Sequence, residues 1–547
     1  MSRMTTDPTS RPHAPLLVVG AGPVGLAVAH ELTRRGLRVR IVDAREEPPT
    51  TSRAIATHPR TLEVYDHMGI VDEMLAAGRR ITAFTLYQRG RRMTRLDADY
   101  SATPTRYPFT LAVDQADTER VLRGALARLG VEVEWGTRLT ELAQEDGFVR
   151  ARLELPGGAQ EHIGTPWLLG CDGGHSLVRK TLGVPLEGES AETWMLADAQ
   201  VETALPADSI YWVRTGGVTL MAVPLTEPGR WRMLDTSPRD RSTDPQTVAD
   251  RLTRMFSAGT GTGFRVAPPR WTSVFTFQQR MVQRMRVGRC LLVGDAAHVH
   301  SPASGQGMNT GIQEAYNLAW KLAMVVQGQA SDGLLDSYTA ERVPVGAALL
   351  ATTKRATRMI QLKNPVADRL LPLLFGVLRT VHPLRARVQR GFLGGISGLN
   401  LRYGESPLTV PSAAGPGPAP GERITQVDEA GAASPGWPAL LAELRDLGWT
   451  LLVFAGPGTA HTAGPAAALA DRHKDWLSVR TVPWSAQDGE GHPAPLPHDP
   501  RLTAALGGRP GGWILVRPDA YVAARGDRLD EGSLAEAAGR AGLTRFP

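Results

Sequence analysis

Glycine and aspartate, rather than the usual catalytic side chains, mark where this sequence could do chemistry. "GAGPVG" sets Gly20, Gly22 and Gly25 in G-x-G-x-x-G spacing around Pro23 and Val24. Asp43 and Ala44 follow roughly 20 residues on, where the motif requires an acid. The first glycine permits a tight turn, the second lets the backbone approach a pyrophosphate, and the third lets a helix pack close to a strand. Anionic oxygens then sit against the free N–H groups of that helix's first turn, and Asp43 can accept from a ribose hydroxyl. The spacing serves FAD and NAD alike, so the dinucleotide stays open at this point. Two further stretches pair glycine with an acid: Asp172-Gly173-Gly174 in "WLLGCDGGHSLVRKTLG", which also carries Arg179, and Gly294-Asp295 in "CLLVGDAAH". From there the chain runs "GDAAHVHSPASGQGMNTG" to Gly311 with little side-chain bulk. Such a run either flexes or makes room for something flat and bulky.

Each of these stretches follows an apolar segment. Leu16–Val19 reads as a buried strand, Pro23–Gly36 as a helix and Leu37–Ala44 as the next strand, together a βαβ unit. Trp167–Gly170 and Cys290–Val293 read as two more strands. Three glycine-and-acid loops would then share the carboxyl edge of one sheet, where α/β folds bind ligands. Taken singly, Asp172 and Asp295 read better as caps of the helices that follow; their joint occurrence with the first fingerprint points instead to a ligand. Between Val201 and Gln279 the texture changes to antiparallel strands rich in Trp, Thr, Val and Phe. Trp212, Trp231, Trp271 and Phe275 there could line an aromatic pocket or simply fill a core. Helical patterning returns at Gly311–Val326 and continues towards Leu399, and Ser406–Glu422, rich in Pro and Gly, reads as a linker. Beyond it come a strand "WTLLVFAG", a helix near "AALADRHKDWL", a strand "SVRTVPW", a hairpin turning near Pro518–Asp519 and a last helix. The fold class is α/β with an α+β middle.

Composition narrows the partners. The chain of 547 residues is 42% hydrophobic and 21% charged, which suits a soluble globular protein of two or three domains. Its net charge of +6 is spread over many arginines with no basic block interleaved with aromatics, so nucleic acid is not an expected partner. No uninterrupted run of about 18 apolar residues predicts a membrane span. Cys171 and Cys290 are the only cysteines, too few for a disulfide framework or a thiolate metal site, and they fit a reducing cytoplasm. His298 and His300 form an H-x-H pair without further ligands nearby, so no metal is expected. Arg45, beside Asp43, reads as a solvated charge.

The ordered set of motifs resembles the class A flavoprotein aromatic hydroxylases, FAD monooxygenases typified by p-hydroxybenzoate hydroxylase, over roughly Pro15–Leu399. "GQGMNTGIQEAYNLAWKL" and "ILVRPDAYVA" are most similar to the aromatic polyketide hydroxylases among them. The resemblance implies a Rossmann-like FAD-binding domain, an antiparallel-sheet substrate domain and a C-terminal thioredoxin-like domain. Mapped onto the chain, residues 14–190 form the first part of the FAD-binding domain, with an excursion into the substrate domain near 80–112. Residues 191–280 form the substrate domain, 281–405 the second FAD-binding part with a helical segment, 406–422 the linker and 423–547 the thioredoxin-like domain. No cysteine follows Cys290, so this last domain lacks a redox pair.

The resemblance also assigns roles. Beside the first fingerprint and Asp43-Ala44, it places Arg53 of "SRA" and Gln115, patterned with Glu119, at the FAD, and Leu139 near the adenine. Asp172 and Arg179 belong to a motif near the cofactor and the nicotinamide pyrophosphate. Gly294 and Asp295 hold the ribityl chain, Pro302 shapes the reactive edge, and Gly305, Gly307, Met308 and Asn309 approach the isoalloxazine. NADPH or NADH as transient co-substrate, O2, and a C4a-hydroperoxyflavin hydroxylating a phenolic or polycyclic aromatic, such as a polyketide intermediate, are further implications. No residue stands out as a catalytic acid or base. The alternatives are inactivation of an aromatic antibiotic, Baeyer–Villiger insertion on the same scaffold, or FAD binding without turnover. A homodimer is left open.

Overall fold

Three short strands, Leu16–Val19, Leu168–Gly170 and Cys290–Leu292, are buried along their whole length, as expected where a sheet is covered on both faces. In the computed structural model, which describes residues 14–50, 54–236, 242–300, 305–360, 382–412, 415–529, 531–540 and 542, they form the centre of a six-stranded sheet. Val39–Val42 and Val133–Glu134 continue it in parallel, and Arg286–Val287 closes the other edge antiparallel. Val19 pairs with Gly170 and Gly170 with Leu292. That register sets Gly20, Cys171-Asp172 and Val293-Gly294 side by side at the carboxyl edge. The helix after the first strand runs Pro23–Arg34, with Gly22 as its N-cap and Pro23 in its first turn. A Cβ at Gly25 would lie 1.9 Å from the Gly20 carbonyl oxygen, so only glycine lets this helix cross the strand end.

The second sheet has nine strands among the described residues and is antiparallel except where Ser209–Thr215 runs parallel to Ala83–Gln88. It begins earlier than the sequence texture suggests, with the long strand Glu187–Thr203. Alternation gives it two faces. Met195, Ala197, Leu220 and Met233 point to one, where the helix Pro245–Thr260 brings Phe256 onto Phe264. Trp231 lies on that face too, between Tyr211 and Phe264, and is core. Trp194, Leu196, Met221, Phe275 and Phe277 point to the other, with half-buried Trp212 and Trp271, and they meet Ile55 and Ala112 from the nucleotide side.

The C-terminal sheet is ordered Leu477–Pro483, Trp449–Ala455, Trp513–Val516, Val522–Gly526. The first two are parallel and joined through the helix Ala463–His473; the last two form the expected hairpin. The segment that reads as a linker is packed against it. Val410 and Gly421 donate backbone hydrogen bonds to Ala523 and Val522, and Leu408 is buried. At Gly417, with φ +80°, a Cβ would meet the Leu506 carbonyl oxygen at 2.2 Å, so its glycine serves close packing rather than freedom. Among the described residues no helix is long and apolar enough to cross a membrane.

Phe256 is fully buried on the sheet face away from the nucleotide side. Phe256→Ala is expected to destabilise the protein by about 3–5 kcal/mol. A chemical-denaturation midpoint checks this, and cofactor affinity should stay at the wild-type value.

Candidate cofactor and active site

The carboxyl edge of the parallel sheet carries two helix starts that no side chain caps. Gly22 precedes the first turn of the Pro23–Arg34 helix without a side-chain cap, and a Cβ there would meet nothing within 4 Å. Gly20 reaches this arrangement with φ +100°, its α-carbon so close to Cys171 that a Cβ would lie 2.4 Å from the Cys171 carbonyl oxygen. Open space above exposed N–H groups is what a pyrophosphate needs. The second start is Gly307, which opens the helix Gly307–Val326 with Gln306 as N-cap and again no side-chain cap. The N–H groups of Gly307, Met308 and Asn309 fall in its first turn and have no intrahelical acceptor. The two helices pack together through glycine: a Cβ at Gly311 would lie 2.5 Å from Val24 Cγ2 and 3.3 Å from the Gly294 α-carbon.

Asp43 stands at the end of its strand as expected, but its carboxylate is already engaged. It accepts from Ala21 N at 2.7 Å, from Arg45 N at 2.9 Å, and from two guanidinium nitrogens of Arg45 at 3.0 and 2.9 Å. Arg45 is therefore an ion-pair partner, not a free solvated charge, and it lies over the Trp135 ring. Burial opposes the charge on Asp43, but these bonds hold its carboxyl below the usual range. A ribose hydroxyl reaching Asp43 has to replace one guanidinium bond. Ala44 beside it is exposed. Gln115 donates to Glu119 at 2.9 Å, and burial raises the Glu119 carboxyl above its ordinary value. Leu139 packs into the main core, two residues after Thr137 N, which donates to the Asp43 carbonyl.

The second glycine-acid stretch behaves as a cap. Asp172 accepts from Ser176 Oγ at 2.6 Å and from Val178 N at 3.1 Å, while buried Arg179 reaches the Ala296 carbonyl at 3.1 Å. Asp295 differs: it is exposed at the crest between the two helix starts. In the glycine-rich run, Gly305 has φ +62° and sits against Ala56, where a Cβ would be 2.8 Å from the Ala56 Cβ. Asn309 binds inward, donating to the Ala56 and Gly305 carbonyls at 2.7 Å each and accepting from His58 N at 2.8 Å. Its side chain fixes the loop, leaving its backbone N–H for a ligand. Arg53 and Pro302 lie outside the described residues.

Sequence reasoning missed Glu314. This fully buried carboxylate accepts from Gly294 N at 3.0 Å and faces His298 Nε2 at 2.7 Å, with Arg342 at 3.8 Å behind it. It accounts for His298 of the H-x-H pair, whose ring is taken up by this carboxylate. His300 lies nearly parallel to it, ring centroids 6.0 Å apart. No group of three or more metal-ligating side chains occurs among the described residues. Burial opposes charge on both partners, but each holds the other charged, raising His298 and lowering Glu314. The available signal was an acid at position 314 on the apolar stripe that Gly311, Ala315 and Leu318 continue. A second missed group ties the nine-stranded sheet to the start of the helix Gln115–Arg128: buried Arg232 pairs with Asp198 at 2.6 Å, approaches the N-cap Asp114 at 3.4 Å, and lies over the Trp271 ring.

A family model described as FAD binding domain matches residues 13–353. The chain belongs to that family. It is 47% identical over 515 residues to the 6-methylpretetramide 4-monooxygenase of Streptomyces rimosus, spanning 94% of this chain and 91% of that one. Among solved structures it is similar to OxyS anhydrotetracycline hydroxylase from Streptomyces rimosus, with TM-score 0.74, 27% identity, and coverage of 98% and 100%. CabE, an aromatic hydroxylase from angucycline biosynthesis, matches with TM-score 0.70 and 29% identity over 97% of this chain and 99% of that one. The protein is an FAD-dependent aromatic monooxygenase of the class A flavoprotein hydroxylases, and its homologues include aromatic polyketide hydroxylases. The crest fits FAD: two uncapped helix starts, an exposed acid between them, and glycine where bulk would intrude.

Gly22 and Gly25 separate fold from binding. Gly22→Ala should leave the cofactor-free protein within about 0.5 kcal/mol of wild type yet weaken FAD binding by about tenfold or more. Gly25→Ala should lose the fold itself; apo-protein melting and FAD titration distinguish them. The His298 pair gives a pH signature. Because the folded value is raised, its stabilisation is complete below about pH 6.5 and lost as pH rises through the folded value. The melting-temperature gap between wild type and His298→Gln should therefore shrink from about pH 6 to about pH 9. A gap that widens with pH contradicts the pairing.

Proposed function

We propose that this enzyme hydroxylates a phenolic polycyclic aromatic of polyketide type, using NADPH or NADH and O2. One observation carries the reading: the crest with its two uncapped helix starts adjoins an apolar, aromatic sheet face. Half-buried Trp212 and Trp271 lie on that face beside buried Phe275, Phe277 and Met221, and Ile55 and Ala112 of the same cluster lead to Ala56 and the glycine-rich loop. The names of the relatives, a pretetramide monooxygenase and an anhydrotetracycline hydroxylase, support a tetracyclic scaffold.

FAD, when bound, supplies the redox and oxygen-transfer chemistry that no side chain carries. The chain's own residues bind, orient and exclude water. Gly20, Gly22 and the first turn after Pro23 receive the pyrophosphate, Asp43 the ribose and Asp295 the ribityl hydroxyls. The N–H groups of Gly307, Met308 and Asn309, aided by their helix dipole, stabilise negative charge at the pyrimidine end of the ring. The aromatic face keeps water from the reacting atoms. We read the C-terminal sheet, with a parallel pair at one edge, its crossover helix and an antiparallel hairpin at the other, as a thioredoxin-like domain; it has no cysteine and does no thiol chemistry.

Purified protein should carry FAD absorption and consume NADPH or NADH faster with tetracyclic phenols or anthraquinones than without. The product should be heavier by one oxygen and carry a new ring hydroxyl; a ring-expanded lactone would establish Baeyer–Villiger insertion instead. Asp295→Ala should weaken FAD binding by about 1.5–3 kcal/mol, the value of a hydrogen bond to a charged group. FAD retention at the wild-type level would remove Asp295 from the ribityl site.

A further inference from the structure

We propose that the C-terminal hairpin turn at Pro518–Asp519 positions the flavin loop through a buried chain of charges, so that the C-terminal segment sets how tightly FAD is held. The inference rests on the reading that Gly294-Asp295 and the Gly307 helix hold the cofactor. Asp519 and Arg517 sit on the turn, each about as buried as an apolar core residue. Arg517 donates to Asp519 at 2.9 and 2.6 Å and to both oxygens of Glu341 at 2.6 and 2.9 Å. Glu341 also accepts from Lys321 at 2.7 Å, and Asp519 accepts from Asn317 at 3.0 Å. Asn317 and Lys321 belong to the Gly307–Val326 helix, whose first turn faces the crest. The neighbour of Glu341 completes the path: Arg342 donates to the Thr310 carbonyl at 3.2 Å and stands 3.8 Å from Glu314, which holds Gly294 N.

Adhesion alone does not require this arrangement. Trp320 already packs edge-on against Trp449 in an apolar cluster shared by the helix and the C-terminal sheet. Burying two cations and two anions beside that cluster costs desolvation that well-packed apolar side chains avoid. What directional charges add is register, because a helix that slides or rotates breaks them all together. Glu314 lies one turn from Asn317 on the same helix, so a register fixed at the turn is a register fixed at the flavin loop.

The test compares FAD dissociation constants, by fluorescence titration of the cofactor-free full chain, with melting temperatures of the same samples. Asp519→Asn is the main variant. Arg517→Lys keeps the charge but not the two-pronged geometry, and it is the second should the first fail to fold. Val453→Ala removes bulk from the C-terminal core without touching the charges and is the stability control. Coupling predicts an FAD dissociation constant raised by about fivefold or more in Asp519→Asn or Arg517→Lys, while Val453→Ala, with a comparable fall in melting temperature, stays within about twofold. Wild-type affinity in the charge variants, or an equal loss in the control, overturns the coupling. Asp295→Asn is titrated alongside: wild-type affinity there removes the loop reading, whereas the Asp519 result judges the coupling.

Discussion

Glu314 is the residue on which the site most depends. A carboxylate buried this deeply is tolerated only where its lone pairs are taken up, and here they are taken by Gly294 N and the His298 ring, with Arg342 behind. Those bonds join a strand end to the helix that follows a glycine-rich loop. Gly305 and Gly307 are glycine because the neighbours press close: a Cβ would lie 2.8 Å from the Ala56 Cβ at the first and 2.8 Å from His300 Cε1 at the second. The described residues on either side of it are held by Glu314, through Gly294 N and His298, and by Asn309 reaching Ala56 and His58.

The same logic explains why catalysis needs so few ionisable groups at the crest. The parallel sheet contributes N–H groups and space; the nine-stranded sheet contributes an apolar face; the Asp198–Arg232–Asp114 group ties that face to the start of the helix Gln115–Arg128. A cofactor that carries the chemistry requires orientation and dryness from the protein rather than acid–base residues. The half-burial of Trp212 and Trp271, against complete burial of Trp194, marks where that face opens.

Much of this was legible in the sequence, and the reasons for the rest are physical. Leu16–Val19 and the glycine fingerprint were readable because a strand buried on both faces is a continuous apolar run and because Gly25 admits no other residue. The hairpin at Pro518–Asp519 was readable from its turn residues. The strand starting at Glu187 was not, because its first half is polar and gains its place only by pairing with Trp271–Met281. The Pro- and Gly-rich stretch after Ser406 reads as a linker because composition does not reveal that Val410 and Gly421 find backbone partners in a distant strand. Among candidate site residues, Asp295 is read from its strand-end position, and its role at the ribityl chain belongs to the proposal. Asp172 matched a motif, yet its carboxylate caps the next helix. Glu314 and Arg342 were hidden because their partners are remote in sequence, and a buried charge looks like any surface charge until its partner is known.

In the proposed arrangement FAD lies along the crest with its ring against the Gly307 helix start. The most direct measurement is a crystal structure of the protein with FAD bound. The pyrophosphate is expected over Gly22, a ribityl hydroxyl on Asp295, and the pyrimidine edge of the ring within hydrogen-bonding distance of the Gly307–Asn309 N–H groups. A ring bound away from that helix start, with Asp295 turned from the cofactor, would contradict it.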